Sequence, residues 1–439
     1  MSNLFLQRDT KLYVEMTDAA GTPAVTGVFE IPILEGFSFS QATNVNEVTL
    51  SEASPDGIIS RRGTARFTDS LAPAEFSFQT YLRPFKSAGS DTNGNADRNA
   101  TSHHSVEEVL WALFAGAHAY RATATSGTVE PLFYGKNASG LAVTNDIIAI
   151  NGTTDASVKF DHINQLQMGS SDFYFVMQEG SDSIVYKLDK AVLNEVSVDF
   201  DIDGIATCSW SGFAKAIVDV NLGSTSTTDG RPSWMSSTAV VAASATVVTE
   251  GQFATNNFIQ NRLSTVTIAN NSGDDPNTNY LDSYTVTLTG GSITLSNNIT
   301  YITPNQMGVV NQPLGHYTGA FSTSGTLTCY LDHATGRSAD LFEDLAESSV
   351  FDVTNFFTLG ITLGGKSTET TVPTAQFAIP AAHLEIPSHA IDEVIGMEIN
   401  FHALPHSGSA GSFVQDITGM NDLSIRLRGV TPDSNVTTS

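Results

Sequence analysis

Basic residues are scarce in this sequence. The 439 residues contain 20 Lys and Arg against 46 Asp and Glu, which gives a formal net charge of −26. The phosphate backbone of a nucleic acid repels a chain of this charge, so the composition argues against a classical nucleic-acid-binding protein. An acidic surface is also common among ordinary soluble proteins, so the charge by itself assigns no function.

Cysteine is almost absent. The sequence contains Cys208 and Cys329, and each lies in a segment with the pattern of a strand. A disulfide framework is therefore excluded. Two separate buried thiols are expected, rather than a disulfide or a metal site.

Long hydrophobic runs are also missing. The most apolar run, TAVVAASATVV at residues 238–248, is too short to span a bilayer. The N-terminal sequence MSNLFLQRDTKLYVEM has neither the apolar core nor the cleavage site of a secretory signal. The sequence therefore predicts a protein that is made and kept in solution. Its length and its apolar fraction of 41% are sufficient for full hydrophobic cores.

One pattern of segments occurs twice along the chain. A strand from Phe37 (FSFSQATN), a polar loop and a strand at residues 74–82 (AEFSFQTYL) make the first copy. GSITLSNNITY at residues 291–301, a loop and STSGTLTCYL at residues 322–331 make the second. A predicted amphipathic helix follows each pair, the second from Ser338. Because two similar halves can occupy similar places in a ring, this duplication favours assembly over catalysis.

The predicted fold class is mainly β, with two tandem β-sandwich or barrel domains, each with one flanking α-helix and a long inter-strand loop. Residues 1–220 make the first domain, in which about residues 120–166 form an inserted external lobe. Residues 221–256 contain a stretch rich in Gly, Ser, Thr and Asp and are predicted to be a linker. Residues 257–430 make the second domain, and residues 431–439 a flexible tail.

The first predicted helix lies in the sequence SVEEVLWALFAG. Ser105 is its expected N-cap, Glu108 completes a capping box, and Gly116 ends the helix. His103 and His104 precede the cap and are expected to face solvent.

Strict alternation of apolar and polar residues predicts sheets with one buried face and one wet face. Phe76 and Phe78, for example, alternate with Glu75, Ser77 and Gln79. The wet face is small, polar or acidic, as expected of a wall around a water-filled channel that must not bind a polyanion. The solvated face of an ordinary sandwich is the alternative. The candidate lumen-facing residues are Ser38, Ser40, Glu75, Ser77, Gln79, Glu195, Ser197, Asp199, Thr294, Ser296, Thr326, Thr328, Glu385, Glu398 and Asn400.

One pair of strands departs from this regularity. Aligning the two halves matches Leu193 to Leu384, and the strand that follows Leu193 is then out of phase with Val196 and Val198. A β-bulge, which inserts one extra residue into a strand, would absorb the shift.

The clusters that could carry chemistry are weak. DFDIDG at residues 199–204 resembles the start of a calcium-binding loop, but Trp210 stands where a bidentate Glu is required, so a hairpin turn is expected. His383, Glu385 and His389 lack the spacing of a zinc site. No nucleophile elbow, P-loop or dinucleotide fingerprint occurs in a suitable context. The sequence therefore predicts no enzymatic activity, no metal and no cofactor.

Several long motifs resemble the tail tube (major tail) proteins of long, non-contractile-tailed bacteriophages. They include FTDSLAPAEFSF at residues 67–78, NNITYITPN at residues 297–305, LEGFSFSQATNVNEVTLSEA from Leu34 and ATCSWSG from Ala206. The chain is most similar to the T-five-like group, whose subunit carries two fused tail-tube domains. The likeness runs from about residue 3 to about residue 405.

The resemblance implies a tail-tube sandwich with a flanking helix in each half. Three subunits would form a pseudo-sixfold ring, and stacked rings would form the tube through which phage DNA is ejected. The implied partners are further copies of the chain, the tape measure protein, the tail terminator and baseplate proteins, and double-stranded DNA that passes without specific binding. The implied location is the virion tail, with assembly in the host cytoplasm.

The resemblance further implies that two long loops, residues 44–66 and 304–317, reach neighbouring subunits or rings. The candidate contact residues are Asn46, Glu47, Glu52, Arg61, Arg62, Asn305, Gln306 and Met307. The relatives carry an extra immunoglobulin-like C-terminal domain, for which no room is expected after residue 405.

Two other functions stay open on the sequence. A carbohydrate-binding or adhesive sandwich of the virion surface would need aromatic residues at exposed strand positions, whereas most aromatics here alternate onto the predicted buried face. A β-sandwich hydrolase would need a clustered acid, base or metal constellation.

Overall fold

The computed structural model describes 18 segments of the chain, with gaps between them. The described residues are 5–16, 27–48, 65–86, 103–120, 133–134, 155–160, 166–179, 182–220, 235, 247–248, 251, 254–270, 281–307, 311–348, 355–365, 372–391, 394–404 and 423–430. The predicted tail at residues 431–439 lies outside them.

The described residues form strands and few helices, so the predicted mainly-β class is confirmed. The strands up to residue 220 are β1 (Thr10–Met16), β2 (Gly27–Ile31), β3 (Ser38–Val48), β4 (Ala65–Tyr81), β5 (Pro84–Lys86), β6 (His103–Ser105), β7 (Ala119–Tyr120), β8 (Phe133–Tyr134), β9 (Ala156–Lys159), β10 (Ser171–Glu179), β11 (Asp182–Asp201), β12 (Thr207–Ala214) and β13 (Ala216–Val220). The later strands are β14 (Val247–Val248), β15 (Thr265–Asn270), β16 (Ser283–Val286), β17 (Leu288–Ser296), β18 (Thr300–Ile302), β19 (Gly315–Tyr317), β20 (Ser322–Tyr330), β21 (Phe357–Gly364), β22 (Thr374–Leu384), β23 (Ser388–Ala390), β24 (Gly396–Ala403) and β25 (Ser424–Arg428).

Two α-helices and two short 3-10 helices complete the described structure. The α-helices are α1 (Glu108–Phe114) and α2 (Ser338–Ser348), and the 3-10 helices are Gln7–Asp9 and Asn261–Leu263. Helix α2 begins at the predicted residue, Ser338, and buries Leu341 and Leu345 on one face, as expected of an amphipathic helix.

Each half of the chain pairs its strands in the same order. In the first half β3, β4, β12 and β11 are consecutive neighbours, and in the second half β17, β20, β24 and β22 are. A further set of neighbours is β2, β1, β10, β11 and β13 in the first half, and β16, β15, β21, β22 and β25 in the second. The repeated order agrees with the duplicated sequence pattern. The division into two domains and its boundaries stay predictions.

The long strands β11 and β22 belong to both sets, and the apolar faces of the two sets meet in the core. In the first half the ring of Phe76 on β4 lies 5.4 Å from the ring of Phe173 on β10. Phe78 of β4 contacts Phe175 of β10 in the same layer. The alternating sequence therefore places aromatic side chains between two sheets.

The start of helix α1 differs from the prediction. Ser105 is not its N-cap, because residues 103–105 form β6, which pairs with β5, and the helix begins three residues later. The Ser105 hydroxyl instead donates a hydrogen bond to the carboxylate of Glu107. A capping box requires non-helical, typically extended backbone at its first residue, so the local motif carried no information on whether that residue also pairs with β5. Gly116 ends the helix at a φ of 102°, as expected of a glycine.

His103 and His104 are buried, so their predicted exposure was wrong. The Nδ1 atom of His104 lies 2.8 Å from Oε2 of Glu108, and its ring stacks on Phe85. His103 Nδ1 accepts a hydrogen bond from the backbone N–H of Gly429 at 3.0 Å. These contacts come from segments distant in sequence, which local patterns do not report.

The predicted external lobe and linker are partly built into the sheets. Strand β9 pairs with β25, and Ala156, Val158 and Phe160 are buried, so this end of the lobe is not an external decoration. In the predicted linker, β14 pairs in parallel with β2. The remainder of both segments lies largely outside the described residues.

In the part of the chain that the structure describes, no helix is both long enough and apolar enough to cross a membrane.

Candidate functional surface, a polar face across eight strands

The two halves of the chain are joined edge to edge in one sheet. Residues 195–201 of β11 pair antiparallel with residues 290–296 of β17. The neighbours therefore run β3, β4, β12, β11, β17, β20, β24 and then β22 with β23. We call this the eight-stranded sheet, counting β22 and β23 as one edge, and the β11–β17 pairing its internal joint.

The internal joint has a defined hydrogen-bond register. The backbone N–H of Asn297 donates to the carbonyl of Asn194 at 2.8 Å, and that of Ile202 donates to the carbonyl of Thr289 at 3.2 Å. Hydrogen-bonded pairs alternate along an antiparallel ladder. Val196 and Leu295, which lie opposite each other between these two pairs, are therefore also a hydrogen-bonded pair.

A β-bulge at Asn194 resolves the phase problem in the sequence, as predicted. The register of β11 on β12 shifts between Leu193 and Glu195, so Asn194 is the extra residue. Its side chain accepts a hydrogen bond from the N–H of Ile299 at 2.6 Å. The bulge residue thus binds the second half of the chain directly.

The register places the predicted lumen-facing residues on one side of the eight-stranded sheet, because directly opposite residues of an antiparallel pair share a face. Ser77, Ser211, Glu195 and Ser296 form one such row across four strands. All the candidates are exposed or half-buried: Ser38, Ser40, Glu75, Ser77, Gln79, Glu195, Ser197, Asp199, Thr294, Ser296, Thr326, Thr328, Glu385, Glu398 and Asn400.

The same face carries residues that the prediction omitted. Across the internal joint, Asp201 lies opposite Gly290 and Ser292 lies opposite Asp199. Further along the sheet, Ser324 lies opposite both Thr294 and His402. The rule of alternation, applied one pair further, would have found these residues. They add an acid, two hydroxyls and an imidazole to the polar face.

The charge of this face is one-sided. Its strand segments are residues 38–41, 74–81, 195–201, 207–213, 290–296, 322–330, 385–390 and 396–402. Within these described segments there are six acidic residues and neither Lys nor Arg. The polar face is therefore acidic.

Short polar contacts link neighbouring strands along this face. Gln79 Nε2 donates to Ser209 Oγ at 3.0 Å, and Thr294 Oγ1 donates to Ser197 Oγ across the internal joint at 3.4 Å. Thr326 donates to Asn400 at 3.0 Å. Small polar side chains on neighbouring strands therefore satisfy one another along this face.

The opposite face of the sheet is the core. Residues that alternate with the polar set are almost completely buried, and they include Phe76, Phe78, Val196, Val198, Cys208, Trp210, Ile293, Leu295, Leu327, Cys329, Met397, Ile399 and Phe401. Cys208 and Cys329 are free and buried, as predicted. Burial raises the pKa of the Cys208 thiol, and raises that of Cys329 to about 11, so both stay protonated and unreactive near neutral pH.

The candidate contact loops are described in part. Asn46 and Glu47 are exposed on β3, and Glu47 forms an ion pair with Arg66 of β4 at 2.6 Å. Asn305, Gln306 and Met307 are also exposed. Glu52, Arg61 and Arg62 lie outside the described residues.

The second loop contacts strand β4 within the same chain. Asn311, which follows Met307, hydrogen-bonds through its backbone to Asp69 and Leu71 of β4 at 3.2 and 2.8 Å. The loop of the second half thus rests on the β3–β4 hairpin of the first half.

The residues that the sequence suggested as possible metal ligands do not form a common site among the described residues. DFDIDG ends β11 and begins a hairpin to β12, in which the Gly204 N–H donates to the Asp201 carbonyl at 3.0 Å. Glu385 contacts His402 at 3.5 Å, whereas the ring of His389 packs on Phe342. Among the described residues, no group of three or more His, Cys, Asp or Glu side chains could hold a metal ion.

A buried polar cluster lies beside helix α1 and was not predicted. The Arg83 guanidinium donates to the side chain of Asn257 at 3.1 and 3.2 Å and to the carbonyl of Ala254 at 2.8 Å. The Arg83 backbone N–H donates to Glu107. Burial raises the pKa of Glu107 to about 7, which Ser105 and Arg83 partly offset. This cluster ties the end of the predicted linker to the first half of the chain.

Comparison with known proteins was informative at the level of sequence. No protein-family model matches the chain. The chain is 28% identical to tail tube protein pb6 of Escherichia phage T5 over 409 residues, which cover 93% of this chain and 74% of pb6. This similarity confirms the resemblance to T5-like tail tube proteins, and it supports a structural role in a virion tail tube.

A chain of the cryo-EM structure of the anti-feeding prophage baseplate, 6-fold symmetrised, matches with a TM-score of 0.24 and 12% identity. The match covers 32% of this chain and 87% of that chain, and the score is too low for an inference about fold.

Proposed function

We propose that this chain is the subunit of a phage tail tube, in which three copies form a pseudo-sixfold ring and rings stack into a tube. The observation that carries the proposal is the similarity to a tail tube protein along 93% of the chain. The eight-stranded sheet supports it, because the two halves already contribute equivalent strands to one continuous sheet.

The proposed wall of the bore is the polar face of the eight-stranded sheet. Three copies would supply 24 strands, which at a spacing of about 4.8 Å give a circumference of roughly 115 Å and a diameter of roughly 37 Å before strand tilt is considered. Such a barrel is wide enough to admit a DNA duplex. The core face of each sheet would then point outward, towards the second set of strands in each half.

The charge of the face supports passage of DNA without binding. Phosphates that approach Glu75, Asp199 or Glu398 meet like charge, and the described segments of the face offer no Lys or Arg to hold them. Small hydroxyl and amide groups keep the surface hydrated. DNA would therefore slide through the tube without becoming trapped.

The proposed partners follow from this role. Copies of the chain would contact one another through the sheet edges and through the β3–β4 and 304–317 loops. The tape measure protein would occupy the bore before DNA does, and terminator and baseplate proteins would bind the two ends. The proposed site of action is the virion tail, after assembly in the host cytoplasm, and no enzymatic step is proposed.

Electron cryo-microscopy of purified tails tests the proposal. We expect rings of three copies, with Glu75, Asp199, Glu385 and Glu398 directed into the bore. A tube whose subunit is a different protein, or one with these carboxylates on its outer surface, would contradict the proposed function or the proposed lumen face respectively.

A second experiment tests the loops. Removal of residues 48–60 is expected to give soluble subunits or rings that no longer stack, because the first long loop would be the contact between rings. Unimpaired tube formation by this variant would count against that role.

A further inference from the structure

The eight-stranded sheet has two outward edges. Among the described residues, β3 pairs with no strand but β4 at one side, and residues 384–390 pair with no strand but β24 at the other. At the second edge the side chain of Asn355 binds the backbone N–H and carbonyl of Leu384, and the positions from 386 to 390 follow beyond it. The following inference rests on the proposed function, since it concerns how copies of the chain meet.

These two edges are the counterparts of the two strands in the internal joint. β3 stands to β4 as β17 stands to β20, and Ser40 takes the place of Thr294. Residues 384–390 stand to β24 as residues 193–199 of β11 stand to β12. One copy thus presents both members of a joint, one on each side.

The counterpart positions can be read residue by residue. Leu193 and Leu384 occupy equal places before a one-residue shift in register, and Ser197 and Ser388 occupy equal places after it. Pro387 therefore stands where Val196 stands in the internal joint, and both side chains are buried.

Val196 has a backbone N–H donor, and Pro387 has none. Val196 and Leu295 are a hydrogen-bonded pair, so the N–H of Val196 points across the internal joint to the carbonyl of Leu295. Proline has no N–H, and in sheets it is confined to edges and bulges. The outward edge at Pro387 lacks the donor that the internal joint uses at its centre.

We propose that the edge at residues 384–390 of one copy pairs with β3 of a second copy in the register of the internal joint, and that Pro387 weakens this pairing so that isolated copies do not join prematurely. An exposed, complete strand edge templates uncontrolled association, and edge prolines are a known protection against it. In a growing ring, each copy is held by further contacts, which compensate for the missing donor.

The register gives a pair of residues for cross-linking. Ser197 and Thr294 lie opposite each other in the internal joint, with their hydroxyl oxygens 3.4 Å apart. Their counterparts across the proposed joint are Ser388 and Ser40. The double variant Ser40→Cys with Ser388→Cys should therefore form a disulfide between copies in purified tails under mild oxidation.

Matched controls establish the register. Ser197→Cys with Thr294→Cys should close within one copy, and Ser38→Cys with Ser388→Cys is displaced by two residues and should react at least about tenfold more slowly. Cys208 and Cys329 are buried and present in every variant. In a closed ring of three, the intermolecular ladder on a denaturing gel stops at three copies.

The role of Pro387 is tested on the purified chain. Pro387→Val restores the donor and reproduces the residue of the internal joint. We expect the concentration at which copies associate, measured by light scattering, to fall about fivefold or more, as expected for one recovered hydrogen bond per joint. Ser388→Val, which leaves the missing donor unchanged, is the control.

Some results would overturn the inference without touching the proposed function. One such result is that the Ser38→Cys/Ser388→Cys and Ser40→Cys/Ser388→Cys variants form the disulfide between copies at equal rates. Another is that neither variant forms it in tails, although the Ser197→Cys/Thr294→Cys control forms its disulfide within one copy. The proposed role of Pro387 would be overturned if the original chain associated at the same concentration as the Pro387→Val variant or at a lower one. It would also be overturned if neither chain associated. A tail tube that does not contain this chain would instead refute the proposed function.

Discussion

The two halves of this chain fill the same position in the core with the same two residues from opposite strands. In the first half Phe76 on β4 faces Gly212 on β12, and in the second half Gly325 on β20 faces Phe401 on β24. A Cβ atom on Gly212 would lie 2.7 Å from the Phe76 ring, and one on Gly325 would lie 2.5 Å from the Phe401 ring. The core has room at this position for one phenylalanine ring, which either of the two paired strands can supply if the other strand has a glycine opposite it.

The halves differ more at their outer edges. The internal joint has Val196 at its centre, whereas the corresponding outward edge has Pro387. Buried charge is also uneven. The cluster of Arg83, Glu107, His104 and Glu108 lies beside α1, whereas the carboxylates described along α2 are at least partly exposed. The first half therefore contains the buried charged cluster, and the second half contains the outward edge that lacks a backbone donor at Pro387.

Exchange of the ring and the glycine in the first half tests the first comparison and has the largest expected effect. Phe76→Gly should lower the free energy of unfolding by about 4 kcal/mol, because a buried ring is lost. Gly212→Phe should cost a similar amount through overpacking. The double variant, which copies the arrangement of the second half, should recover more than half of the summed loss in a urea titration. Simple additivity of the two changes would contradict the equivalence.

Val196→Pro tests the second comparison. The change removes the central donor of the internal joint in a fully paired strand, so a loss of about 3 kcal/mol in unfolding free energy is expected. Pro387→Val is the matched opposite change, and it should leave the unfolding free energy of the isolated chain within about 0.5 kcal/mol of the original. Equal responses at the two sites would show that the halves do not differ in the proposed way.

Glu107→Gln tests the uneven burial of charge. Burial raises the pKa of Glu107 to about 7, so the folded chain holds its proton where the unfolded chain has lost it. The contribution of this group to stability is therefore present at low pH and is lost as the pH rises from about 4.5 to about 7.

Relative to the original chain, Glu107→Gln should gain about 2 kcal/mol in unfolding free energy between pH 5 and pH 8. Burial lowers the pKa of His103 to about 4, which acts in the opposite sense. This group is present in both chains, so the difference between them isolates Glu107. Parallel pH profiles would rule out the raised pKa.

The smallest effect on stability is expected at the polar face, where the halves are alike. Ser209 and Glu398 are counterparts that face the same side of the sheet. Ser209→Lys or Glu398→Lys should change the unfolding free energy by less than about 0.5 kcal/mol. Tails that carry either change should assemble, and DNA release from the virion, followed by dye fluorescence, should slow as phosphates meet the new cations. Unchanged release from both variants would count against the lumen assignment.

Periodicity in the sequence predicted much of this fold. The local pattern predicted that Cys208 is buried in a strand, and it predicted the helix that begins at Ser338. These features depend on neighbours two to four residues apart, and such local patterns are visible in a sequence. The bulge at Asn194 could be predicted because it disturbs a regular pattern.

The failed predictions share a different cause. Ser105 matched a capping motif, but β5 recruited residues 103–105 into a strand. Within the predicted external lobe, residues 156–159 form β9, which pairs with β25 more than 260 residues further along the chain. For the rest of residues 120–166 the lobe stays a prediction. Such pairings override local sequence preferences, because burial and a completed hydrogen-bond ladder stabilise the fold more than a single helix cap does.

The sequence by itself determined which residues of each strand are apolar, that the plan is duplicated, and that the exposed set is acidic, since these follow from residue types and their period. Only the tertiary structure decided that the two halves join at β11 and β17, that the polar sets merge into one face, and that Pro387 stands on an outward edge. Pairing partners and register depend on contacts between residues far apart in the chain, and the period of a single strand does not specify them.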